Sequence, residues 1–268
     1  MLGCNQAILL HAGEMVGTIL GQNLMLRKDA GFIALILALF VIGYLLRAIS
    51  RDAIILLLVL VPSVIVHEVS HGYVALKFGD DTARRAGRLT LNPLAHIDPI
   101  GSVLLPALLI FVGLTPIGYA KPVPVNVSNL RSPRNQSVMV SLAGPFVNLA
   151  GSMIAGAILH YLLLSQSTPQ NIATGVGQVA GLPFWDGVIF YVGVINLLLG
   201  IFNLIPIPPL DGSAVIERLL PSGALPGYFR LRMLMLPIVI IMFLFFPGFL
   251  GSVLSPVINV WIKIFVPA

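Results

Sequence analysis

Residues 53–78, AIILLLVLVPSVIVHEVSHGYVALKF, form an apolar run long enough to cross a bilayer as a helix, and they carry His67, Glu68 and His71 in the pattern H-E-x-x-H. On a helix the two histidines, four residues apart, share one face and can hold a zinc ion, with Glu68 placed beside them to take a proton from water. The same pattern arises by chance in soluble helices, where the side chains simply face water. Depth changes its weight. Ionisable groups inside a membrane cost several kcal/mol each, so three within five residues need a partner, and a metal ion is the partner that suits them. The stretch therefore predicts a hydrolase that works inside a membrane.

Composition agrees. The chain has 268 residues, of which 57% are hydrophobic and 9% charged, and a mean hydropathy of +1.00, values that place it among polytopic membrane proteins. Cys4 is the single cysteine, so no intrachain disulfide forms and any metal site must be built from histidine and carboxylate. The net charge of +5 does not point to nucleic acid, because the basic residues lie in short loops between apolar runs. Residues 1–30 lack the basic start and cleavage site of a secretory signal and read as a retained interfacial helix. There His11 and Glu14 read as structural or solvated rather than as a second metal site.

Apolar runs that span or enter the membrane are expected at 32–46, 53–78, 100–118, 138–164, 188–205, 234–246 and 249–265. If the span bearing the histidines ends inside the cell, thirteen of the fifteen basic residues fall on the inner side, with only Arg47 and Arg51 outside. Both flanks of 100–118 are then inside. Pro106, Gly113 and Pro116 make that segment breakable, so it is expected to be a re-entrant hairpin rather than a crossing. The expected fold is an all-α polytopic membrane protein of about six transmembrane helices, with a re-entrant segment and a few short β-strands on the cytoplasmic side. No fixed-period repeat interrupts it, so residues 1–268 read as a single domain: 1–52 an N-terminal helix and first span, 53–220 the catalytic core, and 221–268 the C-terminal spans. Both termini are expected in the cytoplasm.

Two histidines leave zinc short of a protein ligand, and acidic candidates are few. Asp98 follows His96 in NPLAHIDP, where it also reads as a turn residue before Pro99; Asp211 closes NLIPIPPLDG, where it also reads as a helix N-cap. Physical reasoning favours Asp211. Pro206, Pro208 and Pro209 force the preceding span to unwind, and that span is long enough to pack against the histidine helix.

Together, HEVSHG (67–72), AGPFVN (143–148) and NLIPIPPLDG (203–212) resemble the site-2 protease family of zinc intramembrane metalloproteases, in the family's order and across about residues 53–220. The resemblance implies that His67, His71 and Asp211 ligate one Zn2+ per chain, that Glu68 is the catalytic base, and that Asn148 lies near the active site in a G-x-x-x-N motif. It implies a bacterial or archaeal cell-membrane enzyme acting on single-span membrane proteins in the lipid bilayer.

Asn148 reads either as an amide donor to a substrate carbonyl or oxyanion, or as an interhelical hydrogen bond. Residues 88–91 and 119–127 (YAKPVPVNV) read as short extended strands whose edge suits an unwound substrate, or which merely cover the site. His96 reads as a loop residue, His160 as interfacial, and Trp185 and Trp261 as interface anchors. Two rival functions stay open on sequence alone. One is a membrane metal-handling transporter, disfavoured by a single compact ligand set; the other is an inactive relative that binds membrane helices, disfavoured by the presence of every catalytic residue type.

Overall fold

A computed structural model describes residues 51–98, 121–165, 182–232, 234–235 and 247–267. The expected N-terminal helix, the first span at 32–46 and the re-entrant segment at 100–118 lie outside these residues, as does most of 234–246. The chain divides into two compact units, Met1–Ile54 and Ile55–Ala268.

The second unit is built on helices. Helix α1 runs from Arg51 to Lys77, all but its first four residues in this unit, and the short α2, Thr82–Arg85, follows a tight turn. Next come α3, Pro133–Ser165, α4, Phe184–Leu204, α5, Ser213–Leu219, and α6, Pro247–Phe265. Three of these contain segments long and apolar enough to cross a membrane, at Ile54–Lys77, Pro133–Ser165 and Phe184–Leu204; a shorter apolar stretch covers Leu254–Phe265. The protein is an integral membrane protein.

Local sequence sets the helix ends. Pro133 begins α3, where its missing N–H costs nothing, and the Gln136 side chain accepts from the N–H of the preceding Ser132 at 2.8 Å. The helix thus starts earlier than the apolar run alone predicts. At the other boundary α4 stops at Leu204, and Ile205 turns extended at φ −60°, ψ 127°, the conformation a following proline imposes.

Side chains from α1, α3, α4 and α6 form one apolar core that includes Ile55, Val59, Leu159, Val194 and Ile258. Trp261 belongs to this core at 3% exposure, its ring 5.9 Å from that of Phe190 and 5.2 Å from that of Phe265. The reading of Trp261 as an interface anchor is therefore corrected. Trp185, 71% exposed, is free to serve as one.

Among the described residues no β-strand forms. The residues expected to be strands, 88–91 and the described part of 119–127, form none, and for the second the reason lies in its donors. Pro122 and Pro124 have none. The N–H of Lys121 goes to the His96 carbonyl at 2.9 Å, that of Val123 to Glu68 at 2.9 Å, and that of Asn126 to Asp80 at 2.7 Å. Carboxylates have taken the place of a partner strand.

Asp80 anchors this arrangement. Fully buried beneath a thin cover of exposed loop, its carboxylate accepts from the Thr82 N–H at 3.1 Å, the Thr82 hydroxyl, the Asn126 N–H and the Asn129 amide at 2.9 Å. Burial alone would raise the Asp80 pKa, but these hydrogen bonds outweigh it and hold the pKa below the ordinary carboxylate value. The segment after residue 121 is thereby tied to the end of α1.

Candidate metal centre

His67 and His71 project from α1 with their rings edge to face, 4.7 Å between centroids. Asp211 reaches them from the turn after α4. Its Oδ2 lies 3.0 Å from His67 Nε2 and 3.3 Å from His71 Nε2, and all three ligand atoms fall within 4.8 Å of one another. Ligands about 2.0–2.1 Å from a tetrahedral zinc ion sit roughly 3.3–3.4 Å apart, so both carboxylate separations approach what the metal requires. Among the described residues this is the group of His, Cys, Asp and Glu that can share one ion, and Asp98 is not part of it. The side chain of Asp211 does not cap α5, whose N-cap is Gly212.

Backbone geometry brings Asp211 inward. After Ile205 the chain doubles back, and the N–H of Gly212 donates to the Asn203 carbonyl at 2.7 Å. A Cβ on residue 212 would collide with the backbone of Leu204 and Ile205, so the Asp-Gly pair needs its glycine for this close approach.

The imidazoles are held from behind. His71 Nδ1 donates to the Val140 carbonyl at 2.7 Å; a carbonyl only accepts, so Nδ1 carries a proton and Nε2 is the nitrogen turned toward Asp211. His67 Nδ1 meets Asn148 Oδ1 in the same sense. Such partners fix tautomer and ring angle for metal binding. In front, the space is kept by Gly144: a Cβ there would lie 2.5 Å from His71 Nε2 and 2.6 Å from His67 Nε2. The residues present fit a zinc ion.

Glu68 stands beside the ligands, half-buried, with its Oε2 accepting the Val123 N–H at 2.9 Å. A cleft of about 500 Å3 opens in front, lined by Glu68, His67, His71 and Asp211 together with Val123 and Val125.

Asn148 occupies a different place from the one expected of an oxyanion donor. It is 1% exposed, and its Nδ2 donates to Asn196 Oδ1 at 2.6 Å while its Oδ1 faces His67. Its donor end is engaged by Asn196 of α4, an interhelical hydrogen bond of the kind the sequence also allowed. His96 is a loop residue as expected, its ring nitrogen Nε2 2.9 Å from the Thr90 carbonyl. Sequence reading passed over Ser63, Asn196, Asp80 and the Val123 N–H. For Ser63 and Asn196 a signal existed, since both are polar residues inside apolar spans.

The family model for peptidase family M50 matches residues 55–246. The chain is 41% identical over 168 residues to YwhC of Bacillus subtilis, which bears a zinc metalloprotease name; the match covers 63% of this chain and 70% of that protein. It is 34% identical over 155 residues to Rip2 of Mycolicibacterium smegmatis, covering 58% of this chain and 53% of that one. A zinc metalloprotease of Methanocaldococcus jannaschii is 26% identical over 166 residues, or 62% of this chain and 34% of its own length. No solved structure matches.

Proposed function

Because the chain belongs to peptidase family M50, the site-2 protease family, and is a membrane zinc metalloprotease, we propose that it is an intramembrane endopeptidase that cuts the transmembrane segments of single-span proteins in regulated intramembrane proteolysis. One observation carries this reading: two imidazoles and a carboxylate converge beside Glu68 within an apolar, membrane-length helix. His67 lies roughly 20 Å from the Ile54 end of that segment and about 15 Å from the Lys77 end, at 1.5 Å per residue.

His67 Nε2, His71 Nε2 and Asp211 Oδ2 would hold the zinc. When bound, the ion supplies Lewis-acid polarisation of water and of the scissile carbonyl. Glu68 is the base. With Oε2 engaged by Val123, its Oε1 takes a proton from the attacking water as the C–O bond forms and then delivers it to the leaving nitrogen as the C–N bond breaks. Asn148 is a positioning residue, holding His67 by its Nδ1 proton.

A substrate helix bonds its own carbonyls and must unwind before one reaches the site. The irregular segment around Val123 and Val125 lines the cleft, and its side chains form a wall along which an unwound chain can lie. Lys77, Arg84, Arg85 and Arg131 follow the closer end of α1, which supports the reading of that end, and with it both termini, as cytoplasmic.

The test is cleavage of a single-span substrate by the purified chain in bilayers, with the products mapped by mass spectrometry. A chelator-sensitive cut inside the span, in the half nearer the cytoplasm, is expected. Cuts confined to soluble loops would defeat the intramembrane reading while leaving the metalloprotease intact.

A further inference from the structure

Behind His67 a chain of side chains crosses from α4 through α3 to α1, and each link has only one workable polarity. It starts at the Val192 carbonyl, which can only accept. Asn196 Nδ2 lies 2.9 Å from that oxygen and 2.9 Å from Ser63 Oγ. The Ser63 hydroxyl has already spent its proton on the Val59 carbonyl at 2.8 Å, so toward Asn196 it too can only accept. Two acceptors on one side fix the Asn196 amide with its nitrogen toward them and its Oδ1 toward Asn148.

The polarity is then handed on. Asn196 Oδ1 needs a donor and receives Asn148 Nδ2 at 2.6 Å, which also lies 3.4 Å from the Ser63 carbonyl. That leaves Asn148 Oδ1 as the atom presented to His67 Nδ1 among the described residues, so the imidazole must carry a proton there, and Nε2, facing Asp211, is the nitrogen that can be given up to a metal. Ser63, Asn148 and Asn196 are 7%, 1% and 8% exposed, so water is poorly placed to repair a reversed link.

We propose that Asn196 and Ser63 are positioning residues that set the tautomer of His67: the Val192 carbonyl, read through two carboxamides, keeps His67 Nε2 free to bind metal. The proposal rests on the reading of His67 as a zinc ligand. Replacing Asn196 with leucine leaves the Asn148 amide without its orienting acceptor. It can then turn its nitrogen toward His67 and draw the proton to Nε2, where it blocks ligation. A carboxylate at 148 has no donor end to misplace, so it should make Asn196 dispensable.

The experiment measures Zn2+ affinity of the full chain in detergent by competition with a chelator. Asn196→Leu is expected to bind about 10- to 100-fold more weakly than wild type, and adding Asn148→Asp to restore most of that loss. Wild-type affinity in Asn196→Leu, or a loss that Asn148→Asp does not relieve, overturns the proposal. In parallel, 15N spectra of the metal-free wild-type chain labelled at histidine, with His67 assigned by its loss in His67→Gln, should show the proton on Nδ1. An Nδ1 without a proton would overturn the proposal even if the variants failed to fold. Failure of wild type to bind Zn2+ at all would instead sink the metal reading, and the 15N result would still judge the tautomer.

Discussion

Val123 donates its backbone N–H to Glu68 Oε2 at 2.9 Å, so the residue placed to move protons is held by a segment 55 positions further along the chain. Proline at this position removes the donor without touching a metal ligand. Val123→Pro is expected to lower turnover about tenfold or more while zinc content, measured by atomic emission, stays at one per chain. Val125→Pro separates the two roles of the segment: impaired cleavage of a membrane span there points to guidance of substrate, and an unchanged rate removes that role.

Glu68→Gln keeps the volume of the side chain and abolishes its basicity. Turnover should fall by about a hundred- to ten-thousand-fold, the usual contribution of a positioned base, with zinc still bound. Near-normal cleavage by this variant would remove Glu68 from the chemistry.

Gly144→Ala tests the cradle. Its Cβ would meet the metal-facing edges of both imidazoles at 2.5–2.6 Å, so zinc affinity should drop by at least about tenfold. Alanine is favoured over glycine in a helix by about 1 kcal/mol, so reduced helix propensity cannot explain such a drop. Unaltered affinity would mean that the imidazoles have room to retreat.

Asn148→Ala strips His67 of its acceptor. Weaker zinc binding, about 10- to 100-fold, is expected alongside lower turnover. Lower turnover with unchanged zinc affinity would instead favour the alternative reading of the residue as a donor to a substrate carbonyl or oxyanion.

Asp80 carries a pH dependence with a definite sign. Its folded pKa is depressed, so its contribution to stability is fully present above the ordinary carboxylate range and is lost as pH falls below about 4 toward the folded value. Asp80→Ala should cost about 1–3 kcal/mol near neutrality, from donors left without an acceptor. The gap between wild-type and variant melting temperatures should be flat from pH 7 to 5 and shrink below pH 4; a gap constant down to pH 3 would contradict the assignment.

Much of this was written in the sequence. Period and hydropathy marked the spans that become α1, α3 and α4, because a membrane leaves a helix no other way to satisfy its backbone. The HEVSH spacing put both imidazoles on one face of α1, and the cluster of Pro206, Pro208 and Pro209 stopped α4 where Asp211 had to turn. Those are local consequences of bond geometry and solvent. What the tertiary structure alone decided is how distant groups meet: how near Asp211, already favoured over Asp98 by the sequence, comes to both imidazoles, that Asn148 points its oxygen at His67, that Trp261 is buried, and that Glu68 and Asp80 consume N–H groups expected to make a strand. Hydrogen-bond donors choose among acceptors only once packing has brought them within about 3 Å, and no pattern along the chain records that choice.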